Sequence, residues 1–303
     1  MDKPKGLTSQ QAVTKVKRIL GAKKAGHGGT LDPDATGVLP IYLGQATRLS
    51  EYALGGDKEY LAEATFGFST DTQDASGRVM ETGDPSHLTE AQIHDALIRF
   101  VGTYEQMPPK YSALKVNGKP AYTLAREGKE VDLQPRQVKI DYIRVEQILL
   151  NPQEYMVRFL VGCGKGTYIR TLCHDVGQLL GVPAHMSGLQ RTKSGMFSIA
   201  EAHPFAELEE SNWSLVLPMS QGVMHLPIVM LGHDLILKIL HGQSVSITNN
   251  EGNLQLPMDR EFSMVRVHDE AETLIAICEA RAVAHESIHL RPQKVFLNDE
   301  VGI

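Results

Sequence analysis

The segment Gly28-Gly-Thr-Leu-Asp-Pro-Asp-Ala-Thr-Gly-Val-Leu39 sets two carboxylates, Asp32 and Asp34, two residues apart in a run of small and apolar side chains. A carboxylate placed in this way can act as a general base, a nucleophile or a stabiliser of a developing cation. Asp-Pro and Thr-Gly both favour turns, so a tight bend is expected that leaves one carboxylate pointing into a cleft. An aspartate in a turn can equally spend its oxygens on its own backbone. Leu31, Val38 and Leu39 supply an apolar wall, and burial against it raises a carboxyl pKa, so a working anion there needs a cation beside it. Lys165-Gly-Thr-Tyr-Ile-Arg170 offers one, because an arginine stays charged and grips a carboxylate with two N–H groups. The plainer role for Arg170 is that of a surface charge in a first helical turn.

Three further features could touch a ligand. His27 lies five residues before Asp32 with no partner at HxxxH or HExxH spacing, so a metal role is not indicated, and contact with a ligand stays open. Tyr60 could stack on a base, although an aromatic in step with Phe66 and Phe68 also suits a core strand. Pro108-Pro-Lys-Tyr-Ser-Ala-Leu-Lys-Val-Asn-Gly118 mixes basic, aromatic and turn residues, as a loop meeting nucleic acid would. Cys163, Cys173 and Cys278 show no CxxC spacing, which points to inert thiols rather than a zinc site or a disulfide framework.

These residues need elements to hold them. Thr8-Ser9 followed by Ala12, Val13, Val16, Ile19 and Leu20 predicts a helix over 9–20 that stops at Gly21. Tyr60, Ala62, Ala64, Phe66 and Phe68 alternate as in a strand. Thr89 and Gln92 form a capping box for a helix running to about Val101. The runs 137–150 and 154–163 flank Asn151-Pro152 as a hairpin, and Tyr168–Leu180 reads as a helix capped by Gly181, with Ile169, Leu172, Val176 and Leu179 on one face. Strands and helices interleave without regular alternation, so an α+β fold is expected. Residues 203–227 show no clear period and suggest a boundary. Beyond it Ser244–Thr248, Phe262–Val267 and Leu274–Cys278 look like strands of a small β-barrel of about 75 residues, an architecture common in compact RNA-binding modules.

The chain has 303 residues, 42% of them hydrophobic, and a net charge of −6. That average hides an asymmetry. Residues 1–48 carry eight Lys and Arg against three acids, whereas residues 201–303 carry fifteen acids against six bases. A basic front segment is compatible with a nucleic-acid face, since phosphate binding needs only a local field. No run of about 20 uncharged apolar residues spans a membrane, and MDKPKGLTSQ is not a signal peptide, so a cytoplasmic protein without membrane association is expected.

Together these segments resemble the TruB family of bacterial tRNA pseudouridine synthases. The resemblance rests on Asp2-Lys3-Pro4-Lys5-Gly6, Gly26-His27, Thr30–Pro40, Lys58-Glu-Tyr60, Thr70-Asp-Thr72, Asp74-Ala-Ser-Gly77, Pro108–Gly118, Lys165–Thr171 and Leu189-Gln-Arg191, in the family's order and spacing over about residues 1–200. It implies a central mixed, largely antiparallel sheet flanked by helices in a catalytic domain over 1–226, with a PUA-like RNA-binding β-barrel over 227–303. It implies isomerisation of the T-arm uridine, position 55, on a flipped-out nucleotide, with tRNA as partner and no cofactor, metal or obligate protein partner. A monomer is expected. The resemblance makes Asp32 the catalytic carboxylate, Arg170 its ion-pair partner and Tyr60 the ring stacked on the base. His27 takes part in flipping, Leu189 lines the uracil pocket, and Tyr168 and Lys3 are further substrate-binding positions.

Two departures stand out. Asp34 replaces an apolar residue common in the family and is expected to face solvent, and relatives carry a short apolar strand ahead of the Asp-Lys-Pro segment, which leaves the edge it would cover in doubt. Two other activities fit parts of the pattern. One is an RNA-binding helper that opens the tRNA elbow without catalysis. The other is an aspartate-dependent nucleosidase, which needs a second carboxylate about 5–10 Å from the first.

Overall fold

The computed structural model describes residues 1–53, 56–112, 114–116, 118–128, 132–248, 263–284 and 287–296. The chain forms two compact units that interleave in sequence. One comprises Met1–Ser9, Thr30–Pro40 and Gly55–Pro204; the other comprises Gln10–Gly29, Ile41–Leu54 and Phe205–Ile303, so residue 227 falls inside the second.

The first unit is built on an eight-stranded sheet in the order Asp2–Lys3, Thr36–Val38, Ala184–Ser194, Lys58–Phe66, Glu154–Cys163, Arg136–Asn151, Gly102–Gln106, with Phe197–Ser198 paired to the end of Ala184–Ser194. All pairings are antiparallel except Thr36–Val38 with Ala184–Ser194, which makes the sheet mixed and largely antiparallel, as expected. The Lys58–Phe66 strand shows why the sequence chooses this state: Tyr60, Ala62, Ala64 and Phe66 are buried, while Leu61, Glu63 and Thr65 between them are half-exposed. The alternation breaks at Gly67, and Phe68 belongs to a separate strand, Phe68–Thr70, where it stacks on His185 at 4.2 Å. The expected hairpin is present as Arg136–Asn151 and Glu154–Cys163, and Asn151 closes its turn by accepting from the amides of Gln153 and Glu154. Asp2–Lys3 forms the edge strand on Thr36–Val38, and Met1 O accepts from the Leu39 amide.

Two helices of this unit pack together. Glu90–Ile98 starts at the Thr89/Gln92 capping box, and Ile169–Leu180 ends at Gly181 in the left-handed conformation, φ 71°. The second helix buries Ile169, Leu172, Cys173 and Val176 against the Ala184–Ser194 strand. Leu179 is a correction to the expected apolar face: it is 45% exposed, because the last turn runs past the strand's cover.

The second unit contains a five-stranded sheet in the order Ile228–Met230, Ser263–His268, Leu274–Ala284, Ser287–Val295, Val245–Thr248. Val229, Ile247, Val265, Val267, Ile275 and Leu290 fill its core together with Ile236 and Ile239 of the helix His233–Leu240. Bulges at Ile277/Cys278 and Ala282/Ala284 curl its longest strand. The expected small β-rich module is thus present with a helix and two strands that its local pattern did not announce; Phe262 lies outside the described residues. Residues 203–227, read as aperiodic, hold the helix Phe205–Ser211 and the 3-10 turns Asn212–Leu215 and Met219–Val223. Lys15 of the helix Ser9–Ile19 sits 4.2 Å over the Phe205 ring. Among the described residues no helix is long and apolar enough to cross a membrane. The three cysteines are buried and free, and burial pushes the thiols of Cys163 and Cys278 up to about 11 and about 12.

Candidate active site

The first unit brings Asp32, Tyr60, Tyr168, Arg170, Leu189 and Lys3 into one neighbourhood, and the backbone explains how. Asp32 occupies the turn that leads into the short strand Thr36–Val38. Three buried groups hold that turn. Ser9 Oγ donates to Leu31 O at 3.0 Å and accepts from the Leu31 amide at 2.8 Å. Lys3, fully buried, donates from Nζ to the carbonyls of Pro4, Leu7 and Pro33 at 2.9, 2.7 and 3.0 Å. Arg191, also fully buried, donates from Nε to Val38 O at 2.7 Å and from Nη1 to Thr30 O at 3.4 Å. Gly37 is required where the Arg191 backbone passes, since a Cβ there would lie 2.3 Å from Arg191 O and φ is +99°.

Arg170 meets Asp32 with two prongs, Nε to Oδ2 at 2.9 Å and Nη2 to Oδ1 at 3.4 Å. Its side chain is only 7% exposed, while that of Asp32 remains 37% exposed, so the carboxylate opens to a ligand and the cation stays behind it. The guanidinium is further fixed by donation to Thr72 O at 3.2 Å and Tyr111 O at 3.1 Å. Burial lifts the Asp32 carboxyl above its usual range, and Arg170 pulls it partly back. Asp34 is exposed, as expected.

Tyr60 projects from the buried face of its strand. The register sets Arg191 opposite Tyr60 and Leu189 opposite Ala62, and residues directly paired across strands share a face, so Leu189 stands on the Tyr60 side. Tyr168 precedes the helix that carries Arg170. With no side-chain cap of its own, it is held by the buried amide of Gln106, which accepts from Tyr168 N at 2.8 Å and donates to Tyr168 O at 3.0 Å. Lys3 reaches no open surface, because its ammonium is spent on the turn. His27 lies in the second unit, on the strand Ala25–His27, and is not one of the residues the first unit gathers.

Sequence reasoning assigned no role to Asp74, Gln106 and Arg191. Asp74 Oδ2 lies 3.6 Å from Arg170 Nη1, while its Oδ1 accepts from Thr72 Oγ1 and from Ser76 N and Oγ at 2.7, 3.0 and 2.6 Å. The second carboxylate at the guanidinium is therefore Asp74 and not the neighbouring Asp34. Its signal was present in the Thr-Asp-Thr-x-Asp-Ala-Ser-Gly run, whose polar density exceeds what a plain turn needs. Among the described residues no group of three or more His, Cys, Asp and Glu could hold a metal ion.

Comparison with known proteins agrees with this architecture. Residues 17–169 match the N-terminal domain of the TruB family pseudouridylate synthases, and residues 170–221 match the C-terminal domain of tRNA pseudouridylate synthase B. The tRNA pseudouridine synthase B of Symbiobacterium thermophilum is 47% identical over 246 residues, 81% of each chain. That of Halalkalibacterium halodurans is 41% identical over 98% of this chain and 96% of its own. Among solved structures, a chain of a Cbf5-Nop10-Gar1 complex superposes with TM-score 0.76 at 31% identity, covering 98% of this chain and 83% of its own. A chain of an H/ACA RNP bound to a substrate RNA containing 2'-deoxyuridine gives 0.74 at 29%, over 98% and 83%. The chain belongs to the TruB family of pseudouridylate synthases.

Proposed function

We propose that this chain is a tRNA pseudouridine synthase that isomerises the T-arm uridine at position 55, with Asp32 as the reacting carboxylate. The observation that carries the residue-level reading is the pair of Asp32 and Arg170, a half-open carboxylate backed by a buried, four-point-anchored cation. The relatives' names, all tRNA pseudouridine synthase B, support the substrate class.

The reaction breaks the bond from the sugar's anomeric carbon to nitrogen 1 of uracil, turns the base and joins the same carbon to carbon 5, whose proton leaves to solvent while nitrogen 1 takes one up. No atom is gained and no electron is transferred, so no cofactor is called for. Asp32 can serve either by trapping the oxocarbenium-like sugar or by taking a proton from the carbon beside it. Both routes need the anion that Arg170 favours. The uridine must leave its stack, at a cost of a few kcal/mol, and Tyr60 offers a ring to receive it while Leu189 keeps water from the detached base. Tyr168 stands at the same pocket, and His27 is assigned to flipping. Lys3 serves the substrate by fixing the turn through Pro33 O. Residues 1–226 form the catalytic module in this reading and residues 227–303 a PUA-like RNA-binding module, in a monomer working in the cytoplasm. No observation favours the folding helper as the main role.

The test is incubation with a tRNA transcript carrying uridine tritiated at carbon 5. One equivalent of tritium should be released per tRNA, with pseudouridine at position 55. Release of free uracil, or no release, would refute the reading.

A further inference from the structure

Arg191 touches the turn that carries Asp32 and pairs across the sheet with Tyr60. Its guanidinium donates to Thr30 O and Val38 O, at the two ends of the turn that carries Asp32. Tyr60 stands directly across the strand pair from it on the same buried face, and the charge of the guanidinium acts on the Tyr60 hydroxyl. Arg191 is the largest fully buried side chain of the described residues, and its own backbone pairs in parallel with Gly37 inside the turn. We propose that Arg191 is the positioning residue that fixes the Asp32 carboxylate and the Tyr60 ring in one geometry, and so sets the placement of the anomeric carbon against the base. This rests on the reading of Asp32 and Tyr60 given above.

A guanidinium removed from water costs several kcal/mol unless its donors are satisfied, and a neutral residue would pack a plain strand crossing as well. A planar fork with donors in fixed directions suits the two carbonyls 30 and 38 on one segment, while its charge lies beside the Tyr60 hydroxyl on the other. With the guanidinium beside it on the buried face, the Tyr60 ring is held from behind rather than by the ligand. Cleavage leaves a negatively charged uracil over that ring, and a ring face repels an anion. A buried cation at the hydroxyl offsets that repulsion without touching the substrate.

Loosening the fork should therefore cost turnover more than binding, since a displacement of about 1 Å at a reacting centre costs roughly 100-fold. In tritium release, Arg191→Lys, which keeps the charge and loses the fork, is expected to lower kcat by about 100-fold with KM within about threefold. Arg191→Ala should regain at least about tenfold in kcat on addition of methylguanidinium, which can refill the fork. Folded variants with wild-type kcat, or a loss of thermal stability with no change in kcat and no rescue, overturn the proposal. Should neither variant fold, Tyr60→Phe decides: a drop in kcat of about three- to tenfold at unchanged KM supports the link, and an unchanged kcat overturns it. Activity in Asp32→Asn would instead refute the underlying assignment, independently of Arg191.

Discussion

Of the twelve buried polar or charged side chains among the described residues, eleven lie in the first unit and one, His268, in the second. The second unit's main core is a cluster of Val, Leu, Ile, Ala and Cys. The first buries Lys3, Arg170, Arg191 and Gln106, each bonded to backbone or carboxylate within reach of the Asp32 turn or the start of the Arg170 helix. Apolar packing stabilises a fold with little directional demand, whereas buried donors fix geometry and are costly when left unmet. The contrast teaches that the first unit spends stability on orientation, and the second spends side chains on cohesion.

The comparison predicts that changes in the two units fail in different ways. The largest effect should come from Arg170→Met, with kcat lowered by at least about 100-fold. On the proposal that activity needs the Asp32 anion, it falls as pH drops through the Asp32 pKa. Burial already holds that pKa above the ordinary range, and Arg170 is what lowers it, so the acid limb of the residual activity should move to higher pH. An unmoved limb would separate Asp32 from the pH profile. In the second unit, Ile239→Ala should cost about 2–5 kcal/mol in denaturant unfolding while kcat of the folded protein stays within about twofold.

A smaller effect is expected at Asp175, a half-buried carboxylate of the first unit outside the site, whose pKa burial raises from 3.8 to about 6. The folded carboxyl keeps its proton to higher pH than the unfolded one, so stability falls as pH rises between those values and the penalty is complete above about 6. Asp175→Asn should therefore raise Tm at neutral pH and leave it unchanged near pH 4, with kcat unaltered. The smallest effect belongs to Asp34→Asn, exposed beside the catalytic turn, where kcat should stay within about twofold.

Local signals carried far in this molecule. The period of Tyr60–Phe66, the Thr89/Gln92 box, the Asn151 turn and the Gly181 cap each encode their element within a few residues. What stayed hidden depends on pairing between distant segments. Arg191 acquires its place only when Ala184–Ser194 pairs antiparallel with Lys58–Phe66 and parallel with Thr36–Val38. Gln106 meets Tyr168 only because sheet and helix converge across 62 positions. Nothing in the composition around Lys3 shows that its ammonium will be turned inward on three carbonyls. In the second unit, the helix His233–Leu240 was hidden because it spans only eight residues and starts after Gly232 with no side-chain cap.

The central claim is that the half-open Asp32, and not the fold around it, makes the chemistry. Replacing one carboxylate oxygen in Asp32→Asn keeps the shape of the turn and removes the charge. The variant should bind tRNA with a Kd within about threefold of wild type and release no tritium from carbon-5-labelled uridine in tRNA. Turnover at a rate near wild type would contradict the account.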